Sequence, residues 1–169
     1  MSDIDRERPE MRQSPRVSDT RDPDGRDAGQ QIIRRAVPDE IEVCARLYVD
    51  IGEAEFHWRP AGFFQVAEFL GYAEAEELWV AETDGAIAGF LSYFAPEHFL
   101  HSLYIRRGAR GQGVGAALIA HVRAHYGALH SLKVEVPNEG ARRFYERLGY
   151  AEIGSGATEG VGWIELRSR

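Results

Sequence analysis

The 169-residue sequence has little of three features that would each point to a particular class of protein. Cys44 is its single cysteine, which excludes an internal disulfide and a cysteine-built metal site, so no metal is expected. No apolar run approaches the roughly 18–20 residues that cross a bilayer, so no membrane partner is expected. Basic residues are outnumbered, 20 against 27 acidic ones, and the net charge of −7 disfavours a nucleic-acid partner held by its phosphates.

The sequence does have the composition of an ordinary globular domain, with 44% hydrophobic and 28% charged residues. Its length suits one domain that buries most of its apolar surface. The first residues are charged and polar, unlike those of a secretory signal or a transit peptide, so we expect a cytoplasmic protein.

Residues 1–30 differ from the rest of the chain. They are rich in Asp, Arg, Pro and Ser and have almost no large apolar side chains. Such a segment cannot bury enough surface to offset the entropy of ordering it, so we predict a flexible tail before a single domain over 31–169. If the tail is ordered, we expect it to dock on another surface or on a second subunit, which leaves a homodimer open.

From Ile32 onward, the hydrophobic pattern predicts the element order βααβββαβαββ. Pro38 ends the first strand, and Asp39 is placed to cap the first helix. A second helix follows Pro60 and ends at Gly71. Thr83-Asp84-Gly85, between two apolar runs, predicts a tight hairpin.

In the second half, the strand Phe99–Ile105 precedes a long helix from about Gly113 to Tyr126. The strand Leu132–Val136 follows, and Asn138 is placed to cap the last helix. A closing hairpin with a glycine-rich loop joins two further strands, Tyr150–Ile153 and Val161–Leu166. Hairpins followed by one strand–helix–strand crossover predict an α/β fold with a mixed sheet and helices on its faces.

The stretch HSLYIRRGARGQGVGAALIAHV, His101 to Val122, is the most informative part of the sequence. A strand runs into a glycine-rich turn where a helix begins, so backbone N–H groups and the helix dipole converge on one spot. Glycine lets a phosphate approach the backbone, and Arg110 can add a charge-assisted hydrogen bond. These features suit a pyrophosphate, although such a turn also serves tight helix–strand packing. The Gly-Lys-Ser/Thr of a P-loop and the ribose-binding acid of a dinucleotide site are both missing.

Two motifs in this half resemble a known family, the GCN5-related N-acetyltransferases, or GNAT superfamily. LYIRRGARGQGVGAAL resembles its acyl-CoA-binding signature, Arg/Gln-x-x-Gly-x-Gly/Ala after a strand. LKVEVPNEGARRFYERLGY resembles its strand followed by Asn-x-x-Ala-x-x-Phe-Tyr-x-x-x-Gly-Phe/Tyr. The resemblance covers roughly Ile32 to Leu166. It implies a mixed, mostly antiparallel sheet of about seven strands flanked by four helices, with one parallel, splayed strand pair.

The resemblance also implies a site for acetyl-CoA as cosubstrate. The CoA pyrophosphate would bind the backbone amides of one run of residues: Arg110, Gly111, Gln112, Gly113, Val114, Gly115 and Ala116. The pantetheine arm would pair along Leu103, Tyr104 and Ile105, where a backbone N–H near Leu103 would stabilise the developing oxyanion. Asn138 resembles the family asparagine near the pantetheine.

Tyr145 resembles the family's general acid, which protonates the departing CoA thiolate. A phenol with an ordinary pKa of about 10 is a proton donor at neutral pH. The other interpretation is that Phe144 and Tyr145 anchor the helix by aromatic packing.

A general base is needed because a primary alkylamine is mostly protonated at pH 7. Alternation along the strand places Phe99, His101, Leu103 and Ile105 on one face, and imidazole titrates in the required range. HSLYI resembles the arylalkylamine acetyltransferases, which carry a strand histidine at the position of His101 and a second one where this chain has Phe99. The alternatives are a purely structural His101, with the base supplied by Glu97, His98 or Glu135.

Acceptor specificity is expected from the two N-terminal helices and the last hairpin. Acidic and aromatic residues cluster there, namely Glu53, Glu55, His57, Trp58, Arg59 and Trp163. They suit a cationic amine with an apolar body, or else they are core and solvated helix-end residues.

The sequence therefore predicts an N-acyltransferase that moves an acetyl group from acetyl-CoA to a small-molecule primary amine by direct transfer in a ternary complex. Two alternatives stay open: a non-catalytic acyl-CoA-binding or regulatory module of the same fold, and an acetyltransferase for protein N-termini or lysines.

Overall fold

The computed structural model describes residues 31–127 and 130–169, so the predicted tail over residues 1–30 lies outside the described part. Within those residues, seven strands form one sheet in the order β1-β2-β3-β4-β5-β7-β6. The strands are β1 (Gln31–Arg35), β2 (Glu77–Thr83), β3 (Ala86–Phe94), β4 (Phe99–Ile105), β5 (Ser131–Glu135), β6 (Tyr150–Thr158) and β7 (Val161–Ser168). Neighbouring strands are antiparallel except β4 and β5, which are parallel.

Four helices cover this sheet in the described ranges: α1 (Pro38–Glu55), α2 (Val66–Ala73), α3 (Val114–Tyr126) and α4 (Glu139–Arg147). The element order and the mixed, mostly antiparallel sheet confirm the predicted fold. None of the described helices is both long enough and apolar enough to cross a membrane.

Each face of the sheet buries its own apolar cluster. On one face, α1 and α2 pack over the strands, with Cys44, Phe69 and Phe90 almost fully buried. On the other face, α3 and α4 do the same, with Leu118 and Tyr145 in the cluster. A sheet covered on both sides explains the near-continuous apolar runs of β2 and β3.

Two short-range signals are confirmed. Asp84 and Gly85 both adopt positive φ, 53° and 76°, as a two-residue hairpin turn requires. The Asn138 side chain accepts a hydrogen bond from the Ala141 N–H at 3.1 Å and so caps α4.

The two N-terminal helices begin at different residues from those predicted. Helix α1 begins at Pro38, so Asp39 lies in its first turn and does not cap it. The Glu40 side chain instead caps the N-terminus by accepting a hydrogen bond from the Val37 N–H at 3.0 Å. Helix α2 begins at Val66 rather than after Pro60. The reason is that the preceding loop is held in another shape by Glu53, whose carboxylate accepts the N–H groups of Gly62 and Phe64.

Helix α2 also continues past Gly71, the predicted stop, to Ala73. A Cβ at Gly71 would meet nothing within 4 Å, so no packing contact requires a glycine there. A glycine inside a helix costs only about 1 kcal/mol relative to alanine, and the buried contacts of this helix offset that cost.

The closing hairpin has longer strands than predicted. Strand β6 runs to Thr158, and the turn is made by Glu159 and Gly160. The glycines of β6 are therefore strand residues and not a loop. A Cβ on Gly156 would lie 2.4 Å from the Trp163 ring, so that glycine makes room for the indole of the facing strand.

Arg34 of β1 binds two carboxylates, one on α1 and one on β2, and we expect this contact to make the stability of the protein depend on pH. Its guanidinium donates to both oxygens of Glu40 and to Glu82, each at 2.7 Å. These hydrogen bonds lower the pKa of Glu40 from an ordinary 4.5 to about 2.

A carboxyl group whose pKa is lowered by folding contributes stability above its unfolded pKa and loses it as the pH falls through the folded value. We expect Arg34→Met to lower Tm above pH 5 and to lessen the fall of Tm between pH 5 and 2. Arg46→Met, which removes the exposed Arg46–Glu42 pair, is the control and should leave the profile unchanged. Parallel Tm profiles for wild type and Arg34→Met would contradict this prediction.

Candidate active site

Strands β4 and β5 diverge and leave an opening in the middle of the sheet. Their ladder consists of one pair, Phe99 with Ser131, beside a hydrogen bond from the Ser131 N–H to the His98 carbonyl at 3.0 Å. A cavity of about 560 Å³ fills the opening. Its walls come from β4, β5, α2, α4, the loop after α1 and the β6–β7 hairpin.

This cavity brings together five of the predicted site residues: His101, Leu103, Tyr104, Asn138 and Tyr145. Ile105 and the glycine-rich turn do not line it, and instead lie further along the same strand and at the start of α3.

A β-bulge redirects His101. Ser92 of β3 pairs with Ser102, while Tyr93 pairs with Leu100, so His101 is the extra residue without a partner on β3. The predicted alternation along β4 is therefore interrupted between His101 and Leu103, while Phe99 stays in contact with His101. Leu103 packs in the cluster with α3, as does Ile105, whereas His101 contacts Tyr72 of α2 at 4.7 Å between ring centroids.

Behind His101 lies a glutamate that sequence reasoning missed. His101 Nδ1 is hydrogen-bonded to Glu76 Oε1. The Glu76 side chain is 7% exposed, against 38% for His101. The other oxygen, Glu76 Oε2, is buried and has no hydrogen-bond partner among the described residues. A buried carboxylate on Nδ1 orients an imidazole and leaves Nε2 as the atom free to accept a proton.

Tyr145 lies on α4 at the opposite wall, 6% exposed, with the rings of Phe144 and Tyr150 at 5.0 and 5.3 Å. Burial raises the pKa of its phenol far above the ordinary value, so the hydroxyl stays protonated. No described residue hydrogen-bonds to that hydroxyl. Tyr145 is thus packed among aromatic rings and lines the cavity with its hydroxyl protonated.

The alternative bases are less suitable. Glu135 lines the cavity but accepts hydrogen bonds from Trp58 Nε1 at 2.5 Å and from the Arg59 guanidinium, which offsets its charge. His98 is bonded through Nδ1 to the Tyr93 hydroxyl at 3.1 Å. Neither His98 nor Glu97 lines the cavity.

The predicted acidic and aromatic cluster before α2 is largely structural. Glu53 holds the loop, and Glu55 pairs with Arg110 at 3.1 Å. Trp58 and Arg59 hold Glu135, as described above. Trp163 does line the cavity, and Lys133 lies over its ring at 4.0 Å. His57 does not line it.

The glycine-rich turn keeps its backbone open. Gly111 and Gly113 have φ of 75° and 80°, and a Cβ on either would meet no atom within 4 Å. The first N–H groups of α3, from Val114 onward, have no acceptor within the helix. A Cβ on Gly115, by contrast, would lie 3.2 Å from the Phe144 ring. This glycine therefore allows α3 to pack closely against α4.

Comparison with known proteins identifies the family. The model of the acetyltransferase (GNAT) family matches residues 42–150. A protein of Pseudomonas phage PaMx11 named 5-NmdU N-acetyltransferase is 31% identical in an alignment of 131 residues that covers 73% of this chain and 89% of that protein. The chain belongs to the GNAT acetyltransferase family. The predicted membership and the predicted acetyltransferase class of enzyme are thereby confirmed.

Solved structures share the fold of this GNAT acetyltransferase. A GCN5-related N-acetyltransferase of Rhodopseudomonas palustris superposes with a TM-score of 0.70 at 18% identity, over 83% of this chain and 96% of that one. The protein yncA of Salmonella typhimurium, solved with acetyl-CoA, has a TM-score of 0.59 at 18% identity, over 82% and 93%.

The residues of this GNAT protein suit acetyl-CoA, which the family uses. Open left-handed glycines before a helix N-terminus leave room for phosphates, and the divergent β4 edge offers backbone groups to an extended arm. In the described ranges, no three His, Cys, Asp or Glu side chains are grouped as metal ligands.

The missed site residues come from helix α2 and the segment after it. Glu76 lies in the run AEAEEL, where nothing distinguishes it from its acidic neighbours. Glu68 lines the cavity from α2 and would have been assigned to a solvated helix face. Glu76 could be identified only from the pairing of β3 with β4, because the bulge in that pairing brings His101 next to Glu76.

Proposed function

We propose that this enzyme transfers the acetyl group of acetyl-CoA directly to a small primary amine, with both substrates bound together. The observation that carries the proposal is one cavity with an imidazole backed by a buried carboxylate on one wall and a protonated phenol on another. A volume of about 560 Å³ falls in the range of small-molecule sites and supports a small acceptor rather than a protein chain.

In the proposed complex, the turn and β4 hold the cosubstrate. The backbone amides of Arg110 to Ala116 bind the pyrophosphate, and the edge of β4 at Leu103, Tyr104 and Ile105 binds the pantetheine, with Asn138 beside it. Acetyl-CoA supplies the acetyl group as a thioester. The N–H near Leu103 donates to the thioester oxygen as negative charge develops there.

Two protons move in opposite directions at opposite walls. His101 Nε2 accepts a proton from the acceptor ammonium, and Glu76 stabilises the imidazolium that results. The Tyr145 hydroxyl donates a proton to the departing CoA thiolate. The neutral amine attacks the thioester carbon, and the C–N bond forms as the C–S bond breaks. The second proton lost by the nitrogen restores the Tyr145 hydroxyl, and the proton held by His101 passes to water, so an ammonium and acetyl-CoA give an amide, CoASH and one proton.

Direct transfer is supported by the state of the one cysteine. Burial raises the pKa of the Cys44 thiol to about 12, and Cys44 is fully buried, so it is a poor nucleophile for an acyl-enzyme.

The test of this function is thiol release from acetyl-CoA in the presence of a panel of primary amines and, separately, of 5-NmdU, the compound in the name of the phage relative. Amine-dependent thiol release with one acetylated product per CoA would support the proposal. A rise in Tm with CoA but no thiol release with any amine would instead identify a binding module.

Tyr145→Phe should separate the proton donor from the packing role. The ring stays in the buried cluster and only the hydroxyl is lost. We expect kcat to fall while the affinity for acetyl-CoA is nearly unchanged, the pattern of an interaction made mainly in the transition state. Steady-state kinetics and calorimetry with CoA measure the two effects. A kcat equal to that of wild type would assign Tyr145 to packing alone.

A further inference from the structure

Glu68 presents a carboxylate to the cavity from α2, held by two tyrosines. Tyr72 donates its hydroxyl to Oε1 at 2.5 Å, and Tyr48 donates to Oε2 at 3.2 Å. Each oxygen therefore has one neutral donor and a further lone pair. The two hydrogen bonds fix the carboxylate on the cavity wall, and each oxygen can still accept another hydrogen bond.

The two tyrosines do not neutralise Glu68. Burial is the main reason that the pKa of each phenol is raised, and the hydrogen bond to Glu68 raises the pKa of Tyr72 further. Both hydroxyls thus stay protonated and act as neutral hydrogen-bond donors to the carboxylate.

Neither of the two described cations that line the cavity, Arg59 and Lys133, hydrogen-bonds Glu68, although Arg59 interacts with it electrostatically. Arg59 bonds Glu135 and approaches Glu159 at 3.4 Å. Lys133 lies over the Trp163 ring on the β5–β7 wall. Among the residues that the structure describes, none forms an ion pair with Glu68. A carboxylate in such a setting is favourable for a ligand that brings its own positive charge.

The surroundings of Glu68 are aromatic. Phe64 and Tyr104 pack against Tyr48, the partner of Glu68, at 5.2 and 5.5 Å between ring centroids, and Phe56, Phe63 and Phe99 line the same cavity. Aromatic faces attract a cation electrostatically and cover an apolar or aromatic ligand body.

Glu68 is also close to the proposed base. Tyr72 hydrogen-bonds Glu68, and its ring lies 4.7 Å from the His101 ring. An ammonium group docked on Glu68 therefore lies one side chain away from the imidazole.

We propose that Glu68 binds the ammonium group of the acceptor, and that the acceptor is a primary alkylamine with an aromatic or apolar body. This rests on the proposed function for the identity of the site, but its first test needs no turnover.

The binding test uses phenyltrimethylammonium and its uncharged isostere tert-butylbenzene. Ligand-detected NMR measures the binding of each compound to the full-length protein. Wild type should bind the cation more tightly than the isostere. Glu68→Gln keeps a hydrogen-bonding side chain between the tyrosines. It should lower the affinity for the cation by about tenfold and leave the affinity for the isostere unchanged. Glu159→Gln, which removes a mostly exposed carboxylate at the same cavity, is the matched control and should bind both as wild type does.

Equal affinity of Glu68→Gln and wild type for the cation would overturn the proposal. Equal loss of cation and isostere would also overturn it, because Glu68 would then only shape the wall. A Tm close to that of wild type verifies that the variant is folded.

A kinetic test follows if an amine substrate is found. Glu68→Gln should raise KM for an alkylamine by about tenfold and leave KM for acetyl-CoA unchanged. Absence of acetyl transfer with every amine would refute the proposed function, while the NMR result would still decide the role of Glu68.

Discussion

His101→Ala is expected to lower kcat/KM for an alkylamine by roughly 10²–10⁴-fold, the contribution of one positioned general base. The acid limb of the pH–rate profile should flatten in the same variant, because the group that must be deprotonated there is gone. His57→Ala is the matched control, since His57 is exposed and does not line the cavity. It should leave both the rate and the profile unchanged.

The decisive comparison uses a second acceptor, a weakly basic aromatic amine that is already neutral at pH 7. His101→Ala should affect this amine far less than the alkylamine, because no proton has to be removed before attack. With the alkylamine, kcat/KM of Glu76→Gln should lie between the values for His101→Ala and wild type, because this variant keeps the imidazole but removes the carboxylate beside it. Equal losses with both amines would show that His101 is structural.

Gly113→Val is expected to abolish measurable binding of CoA. Gly113 caps α3 with φ of 80°, where a β-branched residue is strained by about 1–2 kcal/mol. The backbone can relieve that strain only by turning, and the N–H groups at the start of α3 then no longer converge. The side chain itself meets no neighbour, so the fold should survive.

Calorimetry with CoA measures this effect, beside a thermal melt. Gly85→Val is the control, because Gly85 has nearly the same φ, 76°, and equal free space, but lies in the β2–β3 turn. It should cost similar stability and leave CoA affinity intact. Wild-type affinity in Gly113→Val would refute the assignment of the turn as a phosphate site.

Local features of this fold were predictable because their causes are local. Asp84-Gly85 makes its turn through the positive φ of those two residues, and Asn138 caps α4 three residues from its partner. The glycine-rich turn and the Phe-Tyr motif were recognisable for the same reason, since each is a short run with a fixed spacing.

The missed features depend on partners far along the chain. The bulge at His101 is visible only in the pairing of β3 with β4, and it brings to His101 a glutamate 25 residues earlier. The glycine-rich sequence of β6 is typical of a loop, and the reason for Gly156 is the Trp163 ring on the facing strand. Glu68 lines the cavity from α2, and its partner Tyr48 is 20 residues earlier on α1.

The divergence of β4 and β5 also affects how the protein avoids self-association. Beyond the pair Phe99–Ser131, each strand presents unpaired backbone groups to the other, so the centre of the sheet contains two edges. An exposed edge is a template for strands of other molecules. Here both edges face into a cavity whose walls of helices and a hairpin cover them in part. We expect this placement to limit pairing with strands of other molecules, while the same backbone groups stay available to a narrow ligand.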